Sequence, residues 1–396
     1  MQCFAGPAGS TAPCEEAAAT NGTATFAQSN LNPGSGLTIV TGFPKGLVTP
    51  PTPWQAIFNF ISDNWVFAIP IVVLFLMFIL WWTKGRDPQM PGPVIAEYES
   101  PDGLTPAAAV EILKSKQPSR SITGEIIQLA IAGQITIEKV ETKQMLVFSK
   151  DDYKFTRLKD GSDLAQKYQK LLLDSLFKGG ATTIMLSDLK GDFFVSLKKI
   201  NRQISKSLIA GGYFDSDPTI TRSIYGTLAG FIFLAGFFFG AQWYGFAGLL
   251  SFALSALIVL VFGWNMPRRT AKGSETRRKI MGLLLYLNVA EKDRMNFENA
   301  PAETPALFEK LLPYAVAFGV EQTWAKKFEG IYTTSPTWYN DHYAAFGAVA
   351  FANSLNSFSA SSAGIFASSP GSAAGGGSGF GGGVGGGFGG GGGGSW

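Results

Sequence analysis

Covalent and acid–base chemistry draws on histidine, cysteine and clustered carboxylates, and this 396-residue chain is poor in the first two. It has one histidine, His342, and two cysteines, Cys3 and Cys14. His342 falls near the start of a Ser-, Ala- and Gly-rich stretch. A Ser–His–Asp or Cys–His arrangement inside a folded site is therefore not expected, and no H-E-x-x-H occurs. The phosphate-cradling pattern G-x-x-x-x-G-K-[ST] is also missing. Glu97-Tyr98-Glu99 and Asp151-Asp152 place carboxylates together, but such pairs are usually solvated loops. The expected assignment is no catalytic, cofactor-binding or metal-binding residue, no cofactor, and no enzymatic activity.

Cys3 and Cys14 bracket a short loop containing GSTAP. In an oxidising exterior they could form a disulfide; the alternative is two unrelated thiols. With no cysteine elsewhere, a thiol nucleophile or Cys-ligated zinc is excluded from the rest of the chain. Lys198, Lys199, Arg202 and Lys206 recur at helical spacing. They read as the solvated face of a packed helix, as a contact for anionic lipid headgroups, or, least favoured, as a contact for nucleic acid. Small residues recur at Gly226 and Gly230, at Gly236 and Gly240, and at Ser251 and Ser255. This spacing permits close helix approach, within a hairpin or between copies in a homo-oligomer.

The elements that must carry these residues are dominated by apolar runs. Residues 223–267 contain no Asp, Glu, Lys, Arg or His. A bilayer core of ~30 Å needs ~20 apolar helical residues, so this run is long enough for two crossings, expected at 224–240 and 245–264. Between them Ala241-Gln242-Trp243-Tyr244 suits a membrane–water interface. A third span is expected at 64–82, with Pro70 kinking it near its start. Residues 1–63 hold one basic residue, Lys45, whereas residues 83–222 hold twenty and residues 268–396 eleven. By the positive-inside rule the N-terminus lies outside and the long segments lie in the cytoplasm of a plasma-membrane protein.

Residues 1–56 read as the end of an extracytoplasmic β domain, with a strand at 37–43 and too little apolar sequence for a secure core of their own. The start at Met1 lacks a signal peptide, which suggests a truncated or alternative start. Residues 87–222 read as a globular α+β domain. Thr105 and Pro106 open a helix over 106–115, and a second runs over 121–132 to Gly133. A hairpin follows, with ITIEKV, a turn at 141–143 and a returning QMLVFS. Helix, helix, hairpin is the order of a winged-helix unit. A helix over 164–177, a strand over 182–186 and a helix over 191–210 follow; their LIAGGYF echoes LAIAGQI, leaving an internal repeat open. The presumptive recognition helix offers Ser121, Thr123, Glu125 and Gln128 without Arg or Lys, so nucleic acid is not an expected partner. Residues 275–332 read as three helices, with Asp293 and Arg294 at the end of the first and a break at Pro313 between the others. Residues 335–396 read as a disordered tail whose glycine run ends in Ser-Trp.

PGPVIAEYESPDGLTPAAAVEIL, LLDSLF, LSDLKGDFF, LIAGGYF, LPYAVAFGVEQTWAKKFEG and the terminal glycine run together resemble the YciQ-like predicted membrane proteins, a bacterial and archaeal family of unknown function. The resemblance covers nearly everything from about Phe4 onward. It implies a location and an architecture: an extracytoplasmic β-rich domain, membrane spans and a cytoplasmic domain. It implies no catalytic residues. The expected whole is a three-span α-helical membrane protein with a cytoplasmic winged-helix-like domain, a partial outside β segment and a disordered Gly-rich tail. Its expected role is a non-enzymatic interaction or scaffold protein with membrane lipid and an unknown protein as partners. A membrane-tethered transcription regulator is the alternative, with a membrane-embedded transporter or enzyme behind it.

Overall fold

The computed structural model describes residues 1–20, 22–42, 44, 46, 52–144, 148–288, 301–341 and 347–368. They divide into two units, Met1–Val66 and Phe67–Trp396. His342, Asp293, Arg294 and the closing glycine run lie outside the described residues.

In the first unit, β1 (Gln2–Pro7), β2 (Glu16–Thr20), β3 (Thr23–Ala27) and β4 (Ser35–Val40) form two antiparallel pairs, β1 with β4 and β2 with β3. Cys3 lies opposite Ile39 and is bonded through sulfur to Cys14, with Cα atoms 5.5 Å apart. The Cys14 N–H donates to the Cys3 carbonyl at 3.1 Å. A helix not expected from the sequence, α1 (Pro53–Asp63), follows. Its start is a capping box in which Thr52 and Gln55 satisfy each other's backbone N–H, with Pro53 at the first position.

The second unit begins in an apolar helix. One turn of 3-10 helix, Trp65–Phe67, leads into α2 (Ala68–Leu80), which closes in a π-helical turn, Trp81–Gly85. Pro70 stands in the first turn of α2, where backbone N–H groups have no intrahelical acceptor, so no kink follows from it.

The globular part runs α3 (Pro106–Lys114), α4 (Ser119–Ile131), β5 (Ile135–Gln144), β6 (Phe148–Arg157), α5 (Lys167–Leu176), β7 (Thr183–Met185) and α6 (Phe193–Ala210). The order helix, helix, hairpin is present. The expected turn at 141–143 is instead the end of β5, whose register with β6 runs from Ile135↔Arg157 to Gln144↔Phe148. The hairpin is longer than expected because apolar and polar residues alternate along 151–157, placing Tyr153 and Phe155 inside. Asp151 and Asp152 therefore sit on a strand rather than in a loop.

Next come α7 (Pro218–Ala235), a π-helical turn Gly236–Gly240, and α8 (Ala241–Trp264), which turns sharply at Gly245 (φ 58, ψ −141). Among the described residues, Trp65–Gly85 and Pro218–Trp264 are two stretches long and apolar enough to cross a membrane, and only 17% and 28% of their most apolar windows are buried. Large side chains such as Ile71, Phe75, Phe231 and Phe246 project outward, as expected of surfaces that face hydrocarbon rather than water.

The chain then returns to the globular part through α9 (Ala271–Asn288), α10 (Pro305–Phe318) and α11 (Glu321–Lys327). The helix over 305–318 passes through Pro313 and ends at Gly319 (φ 87). A left-handed residue is a stronger stop than a proline here, because the Gly319 and Val320 N–H groups both return to Ala315.

The largest departure is at the C-terminal end. In place of a disordered tail from 335, β8 (Tyr339–Asp341) adds to β5 in parallel, giving the sheet order β7-β6-β5-β8. Then α12 (Ala348–Ala367) buries Phe351, Leu355, Phe358 and Phe366 in the main core. Phe358 rests 4.9 Å from Tyr153 and 5.9 Å from Phe155, and Phe366 lies 4.6 Å from Phe193. The composition is low in complexity, but its apolar residues recur every three or four positions, which is a helix signal.

Because Phe358 is fully buried against the sheet, Phe358→Ala should lower the stability of the full-length protein by ~3–5 kcal/mol. A denaturant or thermal transition in detergent, followed by tryptophan fluorescence, measures this. An unchanged transition would contradict the packing of α12.

Candidate functional site

Two polar features of the second unit stand apart from its apolar core. The first is a pair of buried carboxylates. Glu125 on α4 accepts the backbone N–H of Ala107 at 3.1 Å and the Gln169 amide at 2.8 Å. It thereby caps the start of α3 from a neighbouring helix. Thr105, in the N-cap position, makes no side-chain cap; its hydroxyl meets the Tyr168 hydroxyl at 2.9 Å. Glu111 on α3 accepts from Ser205 of α6 at 2.5 Å and from Gln117. Burial pushes both carboxyls up to about 7, against the lowering effect of those hydrogen bonds. The two groups bind α3 to α4, α5 and α6.

The second feature is a cavity of about 620 Å³ where the apolar helices meet the globular part. It forms around the C-terminus of α3, which ends at Ser115 in the left-handed conformation (φ 51). Terminal carbonyls of a helix carry partial negative charge and need donors. Arg269 supplies them: its Nε donates to Ile112 O at 2.6 Å and Nη2 to Leu113 O at 3.0 Å, while Nη1 meets the Asp87 carboxylate at 2.6 Å. Arg222 donates to Ser115 O and to Trp264 O, the latter at 3.2 Å. The cavity is lined by five basic residues, Arg86, Lys114, Lys116, Arg222 and Arg269, against one acid, Asp87. Asp87 is engaged by Arg269. Among the described residues Arg86, Lys114 and Lys116 form no ion pair. Partial desolvation and the nearby Lys116 and Arg120 push the Lys114 ammonium below its ordinary value, although its side chain stays exposed. The opposite wall is apolar, from Phe78, Trp81, Val261, Phe262 and Trp264. A concave site with one cationic and one aromatic wall attracts amphipathic anions.

The base of α7 and α8 is also closed by backbone pairing. Thr270 N–H donates to Tyr213 O at 3.1 Å, the Thr270 hydroxyl to Gly212 O at 2.6 Å, and Lys272 to Gly211 O at 2.9 Å. A Cβ on Gly273 would overlap the Tyr213 carbonyl. The residues before α7 and after α8 are thus held together.

The small residues of the hairpin divide into two sets. A Cβ on Gly236 would overlap Phe252, one on Gly248 would overlap Gly240, and one on Gly263 would overlap Tyr225. These three contacts bring α7 and α8 together antiparallel about the turn at Gly245. A Cβ on Gly226 or Gly230 would meet nothing within 4 Å, so neither is a point of close approach in the hairpin. Ser251 and Ser255 are buried, the Ser255 hydroxyl donating to Ser251 O at 2.9 Å. Lys198, Lys199, Arg202 and Lys206 share the exposed face of α6, with Lys198 over the Phe194 ring at 4.3 Å.

The carboxylate pairs noticed in the sequence do not converge on a cleft. Asp152 accepts from Ser187 at 2.6 Å, Asp151 pairs with Lys139 at 3.1 Å, and Glu99 pairs with Lys310 at 2.5 Å. Among the described residues no three His, Cys, Asp or Glu side chains assemble as a metal set. The presumptive recognition helix is not a free surface. Ser121, Thr123 and Glu125 are 0% exposed, and Gly124 lies against Pro313 and Ala317 of α10. Arg120 fastens the start of α4 to Val316 O at 2.8 Å, to Asn356 at 3.0 Å and to Glu321. The cavity residues were missed in the sequence as a site. The signals for them are the Lys-Ser-Lys that ends α3 and the basic run after α8.

Two expectations follow. Glu111 and Glu125 hold a proton in the folded state between the ordinary value of 4.5 and about 7, where the unfolded chain has released it. Stability is therefore full below 4.5 and falls as pH rises through 7, with a limiting slope of ~1.4 kcal/mol per pH unit for each proton. Thermal midpoints of the full-length protein from pH 5 to 7.5 should decline, and Glu125→Gln should flatten the decline by about half. In the hairpin, Gly236→Val should lower the thermal midpoint in detergent, whereas Gly226→Val should leave it unchanged; equal effects would contradict the two-set assignment.

No solved structure and no curated protein sequence matches this chain. Residues 95–328 match the C-terminal domain of the family described as "Predicted membrane protein (DUF2207)". This stretch covers α3 to α11 with both polar features, except for the side of the cavity formed by Phe78, Trp81, Gly85, Arg86 and Asp87. The expected YciQ-like resemblance agrees with it. With more than half of its length inside that match and two helical stretches apolar enough to cross a bilayer, the chain belongs to the DUF2207 family of predicted membrane proteins.

Proposed function

We propose that this is a non-enzymatic, membrane-anchored interaction protein whose globular part is a docking platform mounted at the cytoplasmic face of the plasma membrane. The single observation that carries the reading is the stitched junction. Residues 211–214 pair with residues 269–273, and Arg222 and Arg269 clamp the end of α3, so the apolar helices and the globular part have a built connection rather than a free linker. A platform held at fixed height and orientation suits recognition of a partner more than it suits free search.

The layout supporting this reading has three crossings: Trp65–Gly85 as one, and the two arms on either side of Gly245 as the others. Residues 83–222 and 268–396 carry nearly all of the Lys and Arg, which supports reading them as cytoplasmic, and the Cys3–Cys14 disulfide supports reading residues 1–63 as outside. We read α3, α4 and the β5–β6 hairpin as a winged-helix-like module. Burial of α4 favours protein docking over groove reading, since a reading helix must enter the major groove. The exposed basic face of α6 keeps the membrane-tethered regulator as the alternative.

Two arms test this. With native cysteines blocked, Thr25→Cys should react with an impermeant maleimide in intact cells, and Lys206→Cys only after permeabilisation; the reverse would overturn the orientation. A photo-crosslinking residue at exposed positions of the globular part, in living cells, should give one reproducible protein adduct. Adducts to nucleic acid would support the regulator, and adducts to lipid alone would overturn docking.

A further inference from the structure

We propose that the cavity at the end of α3 is a binding site for the phosphate group of an anionic phospholipid. The inference rests on the membrane layout proposed above and adds a ligand to it.

The argument starts from charge. Of the five basic residues lining the cavity, Arg269 is consumed by two helix carbonyls and Asp87, and Arg222 is engaged by Ser115 and Trp264. Arg86, Lys114 and Lys116 remain, with no carboxylate partner among the described residues. Arg86 stacks on Trp82 at 4.7 Å, which orients the guanidinium but leaves its charge unneutralised. Gathering like charges around one hollow is unfavourable unless an anion joins them. The α3 carbonyls are not that anion, because the two arginines already serve them.

Position and shape then select the anion. The apolar wall comes from the ends of α2 and α8, with Trp81 and Trp264 beside the basic groups. Tryptophan favours the headgroup level of a bilayer, and basic side chains reach the phosphates just beyond it. A ligand with a phosphate at one end and apolar chains at the other matches both walls. A volume of about 620 Å³ admits a headgroup with its glycerol. Lys198 and Lys199 on the exposed face of α6 line neither this cavity nor the hollow around Arg202, Ile220 and Ile224, so they serve as an internal comparison.

The test uses purified full-length protein in neutral detergent, with native mass spectrometry to count bound lipid. The probes are phosphatidylglycerol, phosphatidylcholine of the same chains, and sn-glycerol 3-phosphate. Phosphatidylglycerol should be retained about tenfold better than phosphatidylcholine. Lys114→Gln with Lys116→Gln should lose about tenfold of that retention, Lys114→Arg with Lys116→Arg should keep it, and Lys198→Gln with Lys199→Gln should change it less than about twofold. Both cavity lysines are exposed, so these variants should melt with the wild-type protein. Displacement by sn-glycerol 3-phosphate at equal concentration would support a phosphate site and overturn lipid as its source. Equal retention of the two lipids, or equal losses from the cavity and α6 variants, would overturn the site. Binding in detergent does not depend on which side of a membrane the cavity faces, so an inverted topology in the maleimide experiment and a failure here are separate results.

Discussion

Arg269 sits 7% exposed at the point where three requirements meet. The end of α3 needs donors for its last carbonyls. The chain leaving α8 must turn back into the globular part. Asp87, two residues past the turn that ends α2, needs a counter-charge. One planar guanidinium with five N–H groups meets all three at 2.6–3.0 Å. Burial disfavours its charge while Asp87 supports it, and a guanidinium remains charged in proteins. Asp87 is partly open to solvent, so the cost of removing Arg269 falls chiefly on the α3 carbonyls, which would lose their donors. The apolar helices and the globular part therefore depend on one another through this residue. The backbone pairing of residues 211–214 with 269–273 reinforces it.

Much of the chain could be read locally. The apolar runs, the Thr105–Pro106 start and the α3–α4–hairpin order follow from periodicity and capping, which need only neighbours in sequence. What escaped reading is what depends on distant partners. Glu125 caps α3 in place of Thr105 because the fold brings α4 alongside it. Gly124 is a contact point because α10, from nearly two hundred residues later, lies across it. The region after 335 was hidden by its Ser, Ala and Gly content, although Phe351, Leu355, Phe358 and Phe366 keep helical spacing. That amphipathic face gains its stability only against Tyr153, Phe155 and Phe193. The cavity escaped for a related reason. Arg86, the Lys114–Lys116 pair, Arg222 and Arg269 are far apart in sequence, and only closing of the hairpin base sets them around one space.

These features bear on function through mechanical continuity. A module joined to its membrane helices by free linker samples many orientations and pays entropy to bind at a surface. Here the end of α3 is clamped, the hairpin base is closed, and α12 packs on the core face of the sheet against Tyr153 and Phe155. The polar groups of α4 are spent on holding α3 and α10.

The most direct test of this dependence is hydrogen exchange on the full-length protein in lipid nanodiscs, comparing wild type with Arg269→Gln. The clamp requires protection to fall together in the last turn of α3 and in residues 211–214, with α4 and α10 unchanged. Unaltered protection at both places, or loss confined to residues next to 269 in sequence, would contradict it.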